Sequence, residues 1–356
     1  MAKKILITGG AGFVGSALAL GLGQKYPDWQ ITALDNLKRR GSELNLPRLK
    51  EANINFIHGD VRNLADLDAS LLQPDLILEC SAEPSVLAGY NSPKYVLETN
   101  LIGTINCLEL ARQTKSDFIF LSTSRVYPIF YLNNLNFTEE KTHFQLKEKQ
   151  TIIGASKYGI AENFPLDKAR SLYGTTKLAS ELLIAEYADS YGIRTLINRC
   201  GVLTGPWQMG KVDQGVFALW MAYHYFKKPL KYIGYGGKGK QVRDFLHIED
   251  LLNLIDLQIN KLDQFQGETF NVGGGIDNSL SLLETTKICE EITGNSINIE
   301  PVKENRQGDV PIFITDSRKI REKINWQPQK DAKNTLTDIY QWIKENESMV
   351  KSILIR

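Results

Sequence analysis

The chain has 356 residues, 42% hydrophobic and 23% charged, with a formal net charge of +1. That is enough for one large α/β domain or two domains, and so balanced a charge points away from nucleic-acid and membrane partners. No apolar run reaches the roughly 20 residues that span a bilayer. The scattered cysteines (Cys80, Cys107, Cys200, Cys289) read as reduced thiols of a cytoplasmic protein without a signal peptide, and the scattered histidines offer no metal site.

Lys4–Thr8 reads as a buried strand, followed by the glycine loop Gly9-Gly10-Ala11-Gly12-Phe13-Val14-Gly15. Further apolar runs at 31–35, 55–60, 76–80, 118–122 and 195–199 continue the series, separated by helix-length segments. Such alternation predicts an α/β fold with a doubly wound parallel sheet covered on both faces. A helix is expected from about Thr176 to Ser190, with Leu178, Leu182, Leu183 and Tyr187 at apolar spacing. Residues 128–172 are polar and show no period, which predicts an insertion near the active-site mouth. Beyond Gly201 the pattern breaks into shorter elements. The expected organisation is therefore a dinucleotide-binding domain over 1–200 and a smaller, interleaved substrate-binding region over 201–356. Part of the latter, about 243–275, returns to the first domain.

Gly9, Gly12 and Gly15 stand between a strand and a helix, where backbone can approach a pyrophosphate and the helix amino terminus attracts its charge. Asp35 ends the next strand, 20 residues after Gly15. A carboxylate there accepts the adenosine ribose hydroxyls and repels a 2′-phosphate, so NAD is expected rather than NADP. Asp60 and Val61, at the third strand end, are candidates for the adenine.

Ser122-Thr123-Ser124-Arg125-Val126-Tyr127 and Tyr173-Gly174-Thr175-Thr176-Lys177 carry the chemistry. Tyr173 and Lys177 are four apart and share a helix face. A phenol needs its pKa lowered from about 10 to act as a base near neutrality, and an ammonium one turn away does this. Thr123 would hydrogen-bond the same substrate oxygen. Such a set removes a hydride and a proton from an alcohol carbon.

With Asn100 in Glu98–Thr104, Arg243–Asp250 and Phe270–Gly274, these motifs resemble the extended short-chain dehydrogenase/reductase family, with its nucleotide-sugar epimerases and dehydratases, over nearly the whole chain. Within it, Ser122–Tyr127 is similar to the S-T-N-K-V-Y of the 2-epimerases acting on CDP-paratose and CDP-tyvelose. Gln208–Gly210, Asp213–Gly215 and Gly239–Asp244 are similar to that group's R-Q-F, D-Q-G and G-K-Q-V-R-D. The resemblance implies a Rossmann fold, NAD as cofactor and a nucleotide-diphosphate sugar as substrate, with a CDP-sugar favoured. It also implies a homodimer or homotetramer.

Residue by residue, the resemblance implies that Thr123, Tyr173 and Lys177 are catalytic. It places Gly9, Gly12, Phe13, Val14, Gly15, Asp35, Asn36, Asp60, Val61, Cys80, Ser81, Ala82, Asn100, Tyr173, Lys177 and Cys200 at the cofactor. Glu83, Thr123, Arg125, Gln208, Gln214, Arg243 and Arg306 fall to the substrate, the last two arginines as a diphosphate clamp. The Asp-Glu pair that follows the Thr in 4,6-dehydratases is replaced by Ser124-Arg125, which points away from dehydration. A UDP- or GDP-sugar 4-epimerase or reductase, and an NAD-binding sensor without turnover, are the alternatives.

Overall fold

The computed structural model describes residues 2–210 and 214–355, and divides the chain into two compact units. Asp213 of the Asp-Gln-Gly stretch lies outside the described residues.

The first unit comprises 1–126, 172–199 and 251–270. Its sheet has seven strands: β1 (Lys4–Thr8), β2 (Gln30–Asp35), β3 (Asn55–His58), β4 (Leu76–Glu79), β5 (Asp117–Thr123), β6 (Thr195–Cys200) and β7 (Thr269–Val272). They lie in the order β7-β6-β5-β4-β1-β2-β3. β1 pairs in parallel with β2 and β4, β2 with β3, and β4 with β5. Ile5, Leu6 and Ile7 of β1 are all buried, as expected of a strand covered on both faces. The strand order reverses between β1 and β4, and ligands of open α/β sheets bind at the carboxyl ends of strands beside such a switch.

Helices α1 (Phe13–Lys25), α2 (Gly103–Thr114) and α3 (Leu172–Tyr191) belong to this unit, and α4 (Ile248–Asn260) has most of its length there. The six expected strands form, and β7 joins them. α3 begins before the expected Thr176, at Leu172, so Tyr173 sits in its first turn. Of the apolar stripe read from the sequence, Leu183 and Tyr187 pack against the core, while Leu178 is only partly buried. Leu182 is 64% exposed, while Tyr173, Thr176, Lys177, Ser180, Glu181 and Ile184 are buried. Polar groups share the covered side with these apolar ones, so apolar spacing alone misplaces Leu182.

The second unit comprises 127–171, 200–250 and 271–356. A strand at Val202–Thr204 pairs with Val242–His247, which also pairs with Ser279–Ser281 and Ile312–Phe313. Residues 128–171 contribute a short helix, Ile129–Asn133, and two small hairpins to this unit. The strands of these hairpins are only two or three residues long, too short for alternation to register. They are fastened by the Ile160 amide to the Ile314 carbonyl, and by Glu139 held at 2.9 Å by both Lys238 and Lys240.

Candidate active site

The glycine loop turns between β1 and α1. Gly9 has φ of +64°, and a Cβ there would stand 2.9 Å from the Ser81 backbone. A Cβ on Gly15 would meet the Gly9 carbonyl oxygen at 2.2 Å. Only glycine permits this close passage of strand, loop and helix. α1 has Gly12 as its cap, with no side chain bonded to its first amides and no acidic residue in its first turn. Open amides at a helix amino terminus behind a cradle that a Cβ would fill suit a pyrophosphate. The loop thus fits a dinucleotide such as NAD.

Asp35 secures the cradle. It accepts the Ala11 amide at 3.1 Å and the Leu37 amide at 2.8 Å. Burial raises its pKa, and those amides oppose the rise. Asn36 donates to Asp60 at 2.9 Å, and Arg62 forks onto the same carboxylate, with its shortest contact 2.6 Å. The Arg62 bonds hold the Asp60 carboxyl down at about 2. The Val61 side chain lies in the hydrophobic core under α2.

Cys80, Ser81 and Ala82 follow β4 directly, with the Cys80 amide donating to Thr8 at 3.2 Å. Asn100, on a wide helical turn at Glu98–Ile102, is fully buried. Its amide oxygen accepts the Glu83 N–H at 2.8 Å, and its amide nitrogen donates to the Glu83 carbonyl and to Thr176 Oγ1, both at 3.2 Å. Thr176 in turn donates to the Tyr173 carbonyl at 2.8 Å. Asn100 therefore ties the loop after β4 to the first turn of α3. The Glu83 carboxylate accepts the Ser85 amide at 3.1 Å.

Thr123 ends β5, buried, and its Oγ1 accepts the Arg125 amide at 3.2 Å. Tyr173 and Lys177 are 8% and 2% exposed. The Lys177 ammonium sits 4.0 Å from the centroid of the Phe120 ring, an attractive placement for a buried cation. The unit thus carries the glycine cradle and a buried hydroxyl–phenol–ammonium set.

Two groups in this region were not singled out from the sequence. Glu181, one turn beyond Lys177, is bound by Arg199 of β6 at 2.7 and 3.1 Å and by the Ser122 hydroxyl. Glu79 is fully buried at the end of β4. The signal was present in each case: an acidic residue inside an apolar strand, and one at helical spacing from the catalytic-type lysine.

The second unit begins at Cys200, the last residue of β6, and holds Gln208, Gln214, Arg243 and Arg306. Cys200 is buried. Arg243 donates to Asp309 at 2.6 Å and to the Val310 carbonyl at 2.7 Å. The Asp309 amide bonds back to the Arg306 carbonyl at 3.2 Å, so one turn joins the two arginine positions. Gln208 is occupied by the protein: it donates to the Leu203 carbonyl at 2.7 Å and accepts the Thr204 hydroxyl at 2.8 Å.

The profile of the NAD dependent epimerase/dehydratase family matches residues 5–273. The chain is 33% identical to CDP-paratose 2-epimerase of Salmonella typhi, over 95% of this chain and 98% of that protein. Among solved structures, a UDP-glucose 4-epimerase of Thermotoga maritima with UDP-glucose is similar, with a TM-score of 0.79 and 25% identity, covering 97% of this chain and 99% of that one. A UDP-glucuronic acid 4-epimerase of Bacillus cereus, in complex with UDP-glucuronic acid and NAD, has a TM-score of 0.78 and 26% identity, covering 96% and 99%. With its glycine cradle and buried Tyr-Lys pair, the chain is an NAD-dependent enzyme and belongs to the NAD dependent epimerase/dehydratase family.

Proposed function

We propose that this enzyme is a nucleotide-sugar epimerase that inverts C2 of a CDP-linked deoxyhexose. The observation that carries the reading is the buried set of Thr123, Tyr173 and Lys177 in the unit that holds the glycine cradle. The similarity to a CDP-paratose 2-epimerase along nearly the whole chain supports the choice of base and carbon. Ser124-Arg125, in place of an acid pair after Thr123, favours epimerisation over dehydration.

When bound, NAD supplies the acceptor and later the donor of a hydride. The residues of the chain do the rest. Tyr173, as phenolate, takes the proton of the sugar hydroxyl and returns it at the end of the cycle. Lys177 favours the phenolate by its charge. Thr123 orients the sugar oxygen. Arg243 and Arg306 grip the diphosphate, with planar forks that pair bidentately with phosphate oxygens. Such a grip leaves the sugar able to turn over between the two transfers.

Leu97, Ile102 and Leu182, each at least 40% exposed on helices and turns of the first unit, support assembly as a homodimer or homotetramer. The four cysteines, with no disulfide among the described residues, support a cytoplasmic setting. Among the described residues, no helix is long and apolar enough to cross a membrane.

The test is a product assay by NMR on CDP-paratose, UDP-glucose and UDP-glucuronic acid. Conversion of the CDP-sugar to its C2 epimer is expected. Turnover of a UDP-sugar at C4, with the CDP-sugar untouched, would overturn the assignment. Arg243→Ala should raise KM at least thirtyfold and leave NAD affinity unchanged, as loss of a buried charge-assisted pair costs about 2–5 kcal/mol.

A further inference from the structure

Glu79 ends β4 with its side chain fully buried. Its register partner on β5 is Phe120, the residue whose ring lies under the Lys177 ammonium. Register partners in a parallel sheet point to the same face. The carboxyl of Glu79 and the amine of Lys177 therefore share one buried face, covered by α2 and α3. From α2, Thr104 donates to Glu79 Oε1 at 2.8 Å. Oε2 has no hydrogen-bond partner among the described residues, and the nearby Ser81 hydroxyl favours the ionised carboxyl.

An acid is costly to bury, and an unpaired one more so. The second buried acid on this face, Glu181, is met by the fork of Arg199. The charged groups here are thus Glu79, Lys177, Glu181 and Arg199, two of each sign. The remaining titratable neighbour of Glu79 is Cys107 on α2, whose thiol is pushed well up by burial, with Glu79 adding to the rise, and so stays neutral. Thr8, on the other flanking strand, brings no charge. Burial lifts the Glu79 carboxyl to about 7, with the Lys177 charge the largest opposing influence.

We propose that Glu79 is a positioning residue for the proton transfer at Tyr173: its buried carboxylate keeps the Lys177 amine protonated, and the ammonium in turn favours the phenolate. The inference rests on the reading of Tyr173 as the base. Without Glu79, a buried lysine beside an oxidised nicotinamide would shed its proton, and the phenol would lose the charge that lowers its pKa.

The experiment is a spectrophotometric pH titration of phenolate in the NAD-loaded protein, which needs no substrate. The chain has 14 tyrosines, so the Tyr173 signal is isolated by subtracting the Tyr173→Phe variant. Glu79→Gln, which keeps size and a carbonyl acceptor for Thr104, should raise the Tyr173 midpoint by at least about half a pH unit, roughly threefold in the ionisation constant. Thr104→Val, which leaves Glu79 in place but removes its hydrogen bond, should raise it less. A merely structural Glu79 would lower the melting temperature and leave the midpoint where it is. A midpoint unmoved or lowered in Glu79→Gln overturns the proposal, and should that variant not fold, the same result in Thr104→Val does so. If subtraction of Tyr173→Phe reveals no ionisation between neutrality and the ordinary tyrosine range, the reading of Tyr173 as base fails instead.

Discussion

Tyr173 and Lys177 are polar groups kept where polar groups cost free energy, 8% and 2% exposed. Burial sharpens their mutual influence, because charges act more strongly away from water. Tyr173→Phe should keep NAD bound and the fold intact, and lower turnover by about 10²–10⁴-fold, the usual yield of a positioned acid–base group. Turnover within tenfold of the parent in a steady-state assay would remove Tyr173 from the chemistry. Asp35 allows a second check. Its two amide bonds fix it beside the glycine loop, so Asp35→Ala should weaken NAD more than NADP in a binding titration. Equal weakening would place the carboxylate away from the ribose. Both residues were legible because their spacing carries chemistry: four along a helix, and a strand end 20 residues after the last glycine. Glu79 and Asn100 were less so. What they do depends on register and packing, which bring Glu79 beside Phe120 and Asn100 beside Thr176, and no local pattern reports that.

Among the elements, α3 shows why pattern reading reaches its limit. Its covered face holds Tyr173, Thr176, Lys177, Ser180 and Glu181, so the helix is anchored by hydrogen bonds as much as by apolar contact. Ser180 donates to the Asn100 carbonyl at 3.2 Å, and Asn100 reaches Thr176. An apolar periodicity rule assigns such a face to solvent, hence the misplaced Leu182. Asn100 is the joint of this arrangement. Asn100→Ala should remove the side-chain partner of the Glu83 amide and carbonyl and the donor to Thr176 Oγ1, and destabilise the protein by about 1–3 kcal/mol in urea unfolding. A loss below about 0.5 kcal/mol would show that the joint carries little. The segment 128–171 failed to read for another reason. Its strands are short, and partners distant in sequence, Lys238, Lys240 and Ile314, hold them.

Over the whole molecule, the alternation of buried strands and helices was legible from end to end of the first unit, because strands covered on both faces are uniformly apolar. The seventh strand, Thr269–Val272, was read as a motif, its place in the sheet being decided by a chain return over Leu251–Phe270. Charge buried in this unit also sets a pH dependence. Glu79 holds its proton up to about 7, against about 4.5 ordinarily. Between those values the folded chain binds a proton that the unfolded chain has lost, so stability falls as pH rises through that window, by up to about 3 kcal/mol. Asp244, lifted to about 6 by full burial in the second unit, adds to the same trend. Glu79→Gln should flatten the fall measured by urea unfolding between pH 4.5 and 7, and an unchanged slope would contradict the burial argument.

The central claim is that one carbon is inverted by lifting a hydrogen from one face and returning the same hydrogen to the other. The rival route oxidises a neighbouring carbon and exchanges an acidified proton with water, which needs a further base beside the sugar. Glu83 is the carboxylate nearest that role, and it is engaged by the Ser85 amide at 3.1 Å. The most direct measurement is epimerisation of CDP-paratose in heavy water, read by NMR of the product. Direct return predicts a C2-inverted product with no carbon-bound deuterium after many turnovers. One deuterium per inverted carbon would contradict the account and make Glu83 the base to test.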